Sequence, residues 1–345
     1  MSKLGIGIIG LQGYGTTYFP VIERLKDAAV VAICDVKEDI LQNAARKYDV
    51  TAYRDYRDML QDAAVDAVFI STPHFLHYQM TMDALNAGKH VFCEKPLAIN
   101  SEEAMEMTAR ADELGLTLSC HYNRRQSIAV KKMRRAVEMG LIGDAYALNA
   151  RWMARYTAFM FSPNSAWRID KEKAGGGILI GRGSHMIDAA LYILGHPEVE
   201  AVTANISSNL CRFAVDDYAM VLLRLKSGAT IQVECSYENH IPNYSEKLEY
   251  ELWGTNAGIQ AIEKDGKSSF AMGCCAFPEN KWIDKSVELD DCDYASVYPV
   301  SIIEDFVDAV NAHRTPLITG YQGAMVTRVL DAAYRSAREK KEIVL

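Results

Sequence analysis

The chain has 345 residues, a length that favours two domains over one. Hydrophobic residues make up 49% and charged residues 24%, as in an ordinary soluble globular protein, and the net charge of -8 argues against a nucleic-acid groove or an anionic membrane surface. No apolar run approaches the ~20 residues of a membrane span, and the chain enters its first strand with no basic-then-apolar leader ahead of it.

Leu4 to Gly10 is apolar without alternation, which predicts a strand buried on both faces of a parallel sheet. It runs into Gly10, Gly13 and Gly15, with Gln12 and Tyr14 between them. A helix follows, then a second apolar strand from Ala28 that ends in Asp35: a βαβ unit with a nucleotide-binding turn. Glycines let the backbone turn tightly and approach a pyrophosphate, and the free amides and dipole of the helix start favour its negative charge. Asp35 stands about 20 residues past the last glycine, where a carboxylate accepts adenosine ribose hydroxyls and repels a 2′-phosphate, favouring NAD over NADP. The usual G-x-G-x-x-G spacing holds only at Gly10 and Gly15; Gln12 occupies the second position and Gly13 is an extra.

A polar helix is predicted from about Lys37 to Tyr48, a short strand at Thr51–Tyr53, a helix around Met59, and a fourth strand over Asp66–Ile70. Ser71 and Thr72 follow that strand, offering hydroxyls and amides at a carboxyl end, where open α/β sheets bind ligands. His77 begins a helix that Gly88 stops, and Lys89–Cys93 is a fifth strand running into Glu94, Lys95 and Pro96. Asn100 and Ser101 cap a helix ending near Gly115, and Leu116–Cys120 is the sixth strand. Alternation of this kind predicts a doubly wound parallel sheet.

The pattern then changes. An amphipathic helix over Val130–Met139, a strand over Tyr146–Tyr156 and a glycine triplet at 175–177 precede a helix over Ser184–Leu194. Ala201–Ser207, Asp217–Leu225, Thr230–Tyr237 and Lys247–Trp253 read as strands with no helices between them, hence an antiparallel or mixed sheet. Two helices close the chain, Val300–His313 and Gly320–Lys340. The eight cysteines form no C-x-x-C pair and read as reduced, partly buried thiols of a cytoplasmic protein. No metal-ligand spacing is present.

Taken in order, several motifs resemble the glucose–fructose oxidoreductase, inositol dehydrogenase and rhizopine catabolism (Gfo/Idh/MocA) family. They are Gly10 to Gly15, Ser71 to Pro73 with His77, Ala87 to Pro96, Asn123 to Arg125, Trp167 with Arg168, the glycine triplet, and Gly183 to Asp188. The resemblance runs nearly end to end. It implies an NAD(P)-binding Rossmann domain at 1–123 and, at 124–345, an α+β substrate-binding and oligomerisation domain with a large open, mostly antiparallel sheet. It also implies hydride transfer to or from a sugar or cyclitol carbon, and a homodimer or homotetramer formed through the face of the open sheet.

Oxidising a secondary alcohol needs a base at the hydroxyl, and the reverse needs an acid. Lys95 is the candidate: it sits at a strand's carboxyl end, where a cationic nicotinamide and partial desolvation lower a lysine pKa. The family resemblance implies that the peptide before Pro96 is often cis. His185 is the second candidate. The family commonly places an aspartate four residues before it, and here that residue is Gly181. Asp188, three residues beyond, either orients the imidazole or is structural. The resemblance assigns Asn123 and Arg124 to the nicotinamide ribose or the substrate, and Trp167 and Arg168 to the nicotinamide end. Ser71, Thr72, His77 and Glu94 join the cofactor set. Tyr156, Arg182 and Tyr237 are candidate substrate contacts, the two tyrosines, with His240 and Tyr244 nearby in sequence, offering a polyol apolar faces and hydroxyls together.

These residues predict an NAD-dependent dehydrogenase or reductase of a sugar, cyclitol or derivative. Two alternatives stay open: a glycoside hydrolase using NAD for transient oxidation, and a weakly catalytic cofactor-binding sensor, which the departure at Gly181 keeps in view.

Overall fold

The computed structural model describes residues 3–155, 165–210, 213–238, 240, 246–276, 281–289, 294–299 and 301–345. The chain divides into two compact units. The first comprises Met1–Tyr122, Glu172–Gly175 and Pro299–Thr327; the second comprises Asn123–Lys171, Gly176–Tyr298 and Arg328–Leu345.

The first unit is built on six parallel strands: β1 (Leu4–Ile9), β2 (Ala28–Cys34), β3 (Thr51–Tyr53), β4 (Ala67–Ile70), β5 (His90–Cys93) and β6 (Leu118–Cys120). Their spatial order is β3-β2-β1-β4-β5-β6, the doubly wound arrangement expected from the alternation. Every residue of β1 and β4 is buried, which is why neither alternates in sequence. The helix Ser101–Leu114 starts where the sequence predicts: the Asn100 side chain accepts the Glu103 amide at 2.9 Å, and Gly115 ends it in a left-handed conformation. Helix Ile302–Asn311, nearly two hundred residues beyond the sixth strand, belongs to this unit, and Phe306 packs on Phe69 and Phe92.

One expectation is corrected. The helix after the glycine turn is a 3-10 turn at Gly15–Thr17 followed by a single α turn at Phe19–Ile22, with Pro20 near its start. Four residues align too few peptide dipoles for a strong macrodipole. What this turn presents is therefore individual loop amides rather than the end of a long helix.

The second unit carries nine further strands: β7 (Ala145–Ala154), β8 (Val199–Ser207), β9 (Tyr218–Leu225), β10 (Thr230–Ser236), β11 (Glu246–Gly254), β12 (Gly258–Lys264), β13 (Lys267–Ala276), β14 (Lys281–Asp284) and β15 (Ile343–Val344). They form one sheet in the order β14-β13-β12-β11-β7-β10-β9-β8-β15, in which, among the described residues, only the β7–β10 pair is parallel. The four strands β12–β15 were not among those predicted from the sequence. The register aligns Leu223, Ile231, Leu148, Leu252, Ile259 and Met272 across six strands, and all six are buried. The alternate row places Met220, Leu222, Asn149, Arg151, Glu251 and Trp253 on the other face, where Met220, Leu222 and Trp253 are exposed. Helix Ser184–Ile193, buried along its whole length, belongs to this unit.

Among the described residues, no helix is long and apolar enough to cross a membrane.

Candidate active site

In the first unit the sequence-predicted residues gather at the carboxyl edge of the parallel sheet. Gly10 has φ +88°, and a Cβ there would stand 2.6 Å from the Ser71 carbonyl oxygen. A Cβ on Gly15 would stand 1.9 Å from the Gly10 carbonyl oxygen. The turn is thus folded on itself so tightly that side chains at either position would break it. Gly13 and Tyr14, by contrast, are exposed, and nothing lies within 4 Å of where a Gly13 Cβ would be. This open flank leaves backbone accessible to a ligand.

Asp35 sits at the end of β2 but is only 5% exposed. Its Oδ2 accepts the Leu11 amide at 2.8 Å, and its Oδ1 accepts the Lys37 amide at 2.9 Å and the Gln12 side-chain amide at 3.4 Å. The carboxylate therefore also holds the glycine turn in shape, a duty absent from the sequence reading. Ser71 donates its backbone amide to Ile9 at 2.8 Å, and the Thr72 hydroxyl reaches the Met80 sulfur at 3.5 Å.

His77, assigned to the cofactor set from sequence, is wholly buried. Its Nδ1 lies 2.8 Å from the Pro96 carbonyl oxygen and its Nε2 lies 2.9 Å from the Thr72 carbonyl oxygen. Burial holds its pKa below the ordinary value, so at neutral pH it carries one N–H and donates to one of them. It braces the loop after β4 against the turn after β5. Lys95, half-buried, follows β5, and the Lys95–Pro96 peptide is cis.

Glu94 is engaged from two directions. The Tyr18 hydroxyl donates to its Oε1 at 2.5 Å, and His121 Nδ1 lies 2.7 Å from the same oxygen. Burial alone would raise its pKa; the His121 and Tyr18 donors and the Lys95 ammonium outweigh burial and hold it down at about 2. Tyr18 and His121 were missed in the sequence. His121 had a usable signal, since it follows the carboxyl end of β6 as Lys95 follows that of β5. Tyr18 had none, being one aromatic in an apolar turn.

In the second unit, His185 is buried on helix Ser184–Ile193, with its ring 5.8 Å from that of Trp152 on β7. The guanidinium groups of Arg124 and Arg182 both lie over the Trp152 ring, at 4.9 and 4.4 Å. The Trp152 indole N–H donates to Glu246 at 2.8 Å, and Arg124 donates to Glu263 at 3.0 Å. Trp152 was not singled out in the sequence, where it was one of several aromatics in a strand. Asn123 and Arg124 open the 3-10 turn Asn123–Gln126. Trp167 and Arg168 are half-buried, with Arg168 stacked on Trp167 at 4.3 Å and donating to Ser165 at 3.2 Å. Tyr156 and Tyr244 lie outside the described residues.

The Asp188 carboxylate is taken by Arg125 through a two-point hydrogen bond in which both side chains are buried, an arrangement that suits the structural one of its two expected roles. Gly181 also has a physical explanation. It lies in a π-helical turn, Leu179–Gly183, and a Cβ there would stand 2.5 Å from the Tyr237 hydroxyl oxygen. That hydroxyl donates to the Gly177 carbonyl oxygen at 3.3 Å and occupies the space a side chain at 181 would need. The glycine triplet is shaped by Asp216, which accepts the Gly177 and Leu179 amides at 2.7 and 2.9 Å, and by Tyr334, whose hydroxyl donates to Asp216 at 2.9 Å.

A six-stranded parallel sheet with a self-folded glycine turn after β1 and an acid at the end of β2 defines a dinucleotide-binding oxidoreductase fold. Residues 4–122 match the family model described as an oxidoreductase family with an NAD-binding Rossmann fold, and residues 130–260 match the GFO/IDH/MocA C-terminal domain. The chain belongs to the Gfo/Idh/MocA oxidoreductase family. It is 29% identical to the myo-inositol 2-dehydrogenase of Thermotoga maritima, an alignment covering 99% of this chain and 98% of that one. It is 27% identical to the D-glucoside 3-dehydrogenase of Escherichia coli, covering 100% and 98%. The crystal structure of a probable dehydrogenase from Thermotoga maritima superposes with a TM-score of 0.78 at 28% identity, covering 99% of this chain and 98% of that one.

Proposed function

We propose that this protein is an NAD-dependent dehydrogenase or reductase that acts on a secondary alcohol, or the matching ketone, of a sugar, cyclitol or derivative. The observation that carries the reading is Lys95, presented just past the end of β5 and next to an ionised Glu94, in the sheet that also carries the glycine turn. The end-to-end likeness to a cyclitol dehydrogenase and a glucoside dehydrogenase supports the substrate class.

The exposed amides around Gly13 and Tyr14 suit a pyrophosphate, and Gly10, Gln12, Gly15 and Asp35 hold that turn open. Asp35 disfavours a 2′-phosphate, so NAD is preferred over NADP. Ser71, Thr72, Asn123, Arg124, Trp167 and Arg168 complete the proposed cofactor set, with His77 and Glu94 bracing it. Bound NAD supplies the hydride acceptor, or NADH the donor. In oxidation Lys95 Nζ takes the substrate hydroxyl proton; in reduction it returns that proton to the forming alkoxide. His185 assists by hydrogen bonding to the substrate, and Arg182, Tyr237 and Tyr156 are the proposed substrate contacts.

We also assign the exposed sheet face bearing Met220, Leu222 and Trp253 to a second copy of the chain, as a homodimer or homotetramer, because those side chains leave apolar area in water. The buried thiols of Cys34, Cys93 and Cys235 suit a reducing cytoplasm.

The test is to incubate the purified protein with NAD and a panel of sugars, inositols, sugar acids and aryl glycosides, following reduced-cofactor absorbance and aryl release. Reduction with one substrate class, lost by at least ~100-fold in Lys95→Met with NAD binding intact, is the expected result. Aryl release without net reduction would replace it with the hydrolase, and NAD binding with neither signal would favour the sensor.

A further inference from the structure

Lys95 is framed by buried side chains on both sides. Before it, the Glu94 carboxylate is held by Tyr18 at 2.5 Å and by His121 at 2.7 Å, and its second oxygen lies 3.3 Å from the Lys95 backbone amide. After it, the Pro96 carbonyl oxygen is met by His77. A carboxylate only accepts hydrogen bonds, so His121 carries a proton on Nδ1. The two donors come from elements far apart in the chain and are packed in place. Tyr18 is edge-on to Phe69 at 5.3 Å and to Phe92 at 6.2 Å; His121 lies against Phe92 at 5.2 Å and against the exposed Tyr14 of the glycine turn at 6.1 Å.

We propose that Tyr18 and His121 are positioning residues for Lys95: they hold the Glu94 carboxylate in one orientation, with its second oxygen against the Lys95 backbone amide, and so fix a negative charge on the residue next to the lysine. This rests on the reading of Lys95 as the proton-transfer group.

The physical argument is reciprocity. The Lys95 ammonium is among the charges that keep Glu94 ionised. Coupling between two sites acts equally in both directions, so ionised Glu94 keeps the proton on Lys95. The groups that face Glu94 are Tyr18, His121, Lys95, Cys93 and His77. Burial raises the pKa of Tyr18 and of Cys93, so both are neutral at working pH, and the buried His77 ring lies in the fields of both Glu94 and Lys95. Without its two donors, Glu94 has only the Lys95 ammonium to set against burial and moves toward its neutral acid. Lys95 then loses its counter-charge and releases its proton at lower pH. The network thereby decides whether Lys95 is poised to give a proton or to take one.

The experiment titrates Lys95 directly in the full-length protein. Lysines are dimethylated with ¹³C-formaldehyde, the Lys95 resonance is assigned by its loss in Lys95→Met, and its midpoint is followed by NMR with no substrate present. Glu94→Gln is expected to lower the midpoint by about one pH unit or more. The Tyr18→Phe, His121→Leu double variant is expected to shift it the same way, and His121→Asn, which keeps an N–H donor, to restore most of the shift. Should the double variant fail to fold, Tyr18→Phe alone carries the test, because it keeps its ring against Phe69 and Phe92 and loses only the hydroxyl. An unmoved midpoint in Glu94→Gln and Tyr18→Phe overturns the proposal. Should the midpoint move while Lys95→Met retains turnover, the positioning stands and the assignment of Lys95 as the proton-transfer group falls.

Discussion

The guanidinium of Arg125 meets the carboxylate of Asp188 through two hydrogen bonds, Nε to Oδ2 at 3.0 Å and Nη2 to Oδ1 at 2.6 Å, with both side chains out of solvent. The Tyr192 ring lies 4.8 Å from the same guanidinium. The pair ties the turn after β6 to the helix that carries His185. Removing one partner strands the other charge in a low-dielectric interior. Asp188→Ala is therefore expected to cost ~3–5 kcal/mol, seen as a lower urea midpoint. The double variant Arg125→Met, Asp188→Leu is expected to cost less than either single truncation, because it leaves no buried charge. A double variant as unstable as the singles would show that the pair contributes more than charge balance.

Gly181 is expected to reverse sign with its neighbour. In the native chain, Gly181→Ala pushes a methyl group against the Tyr237 hydroxyl and should destabilise by ~1–3 kcal/mol. In a Tyr237→Phe background the nearest remaining atom is the ring carbon at 3.6 Å, an ordinary contact. There the same substitution should be neutral or stabilising by up to ~1 kcal/mol, since alanine is the better helix former. Thermal unfolding of the four proteins in this cycle measures the coupling; additive effects would remove the steric account of Gly181.

Asp35→Ala is expected to weaken NAD binding by roughly 10–100-fold, through loss of the acceptor for the Leu11 and Lys37 amides and of the proposed contact to the ribose. NADP should lose less, because the repelling carboxylate is gone. Calorimetric titration with both nucleotides gives the ratio, and equal losses would mean that Asp35 acts on the turn alone.

Glu94 sets an acid limb of stability. Its folded-state pKa, about 2, lies below the unfolded value of about 4.3. The stabilisation is therefore present in full above the unfolded value and is lost as pH falls from about 4.5 toward 2, by on the order of 3 kcal/mol. In Glu94→Gln the dependence over that window should flatten. Urea midpoints between pH 5 and 2.5 would check this; an unchanged slope would place the acid limb on other carboxylates.

The parallel sheet was legible because its signals are local. β1 and β4 are apolar on every residue, Gly10 and Gly15 fall where the backbone folds on itself, and Asn100 and Gly115 mark both ends of one helix. Lys95 was singled out in part for the same reason, as it stands two residues past the end of an apolar strand. The outer strands β12 to β14 were less legible. Their residues alternate less cleanly, because β14 is exposed throughout and β13 is exposed over its first half.

The amino-acid sequence by itself determined that this chain builds a doubly wound parallel sheet with a self-folded glycine turn after its first strand and a Glu-Lys-Pro run after its fifth. Each of those follows from short-range pattern: apolar runs, turn glycines and the residues next to them. Only the tertiary structure decided who holds whom. Tyr18 and Glu94 are 76 positions apart, Arg125 and Asp188 63, and Glu94 and His121 27. A lone tyrosine or arginine in an apolar stretch has no periodicity of its own. Its partner exists only once strand register and helix packing have brought two distant segments together, and the cost of burying an unpaired polar group then fixes the match.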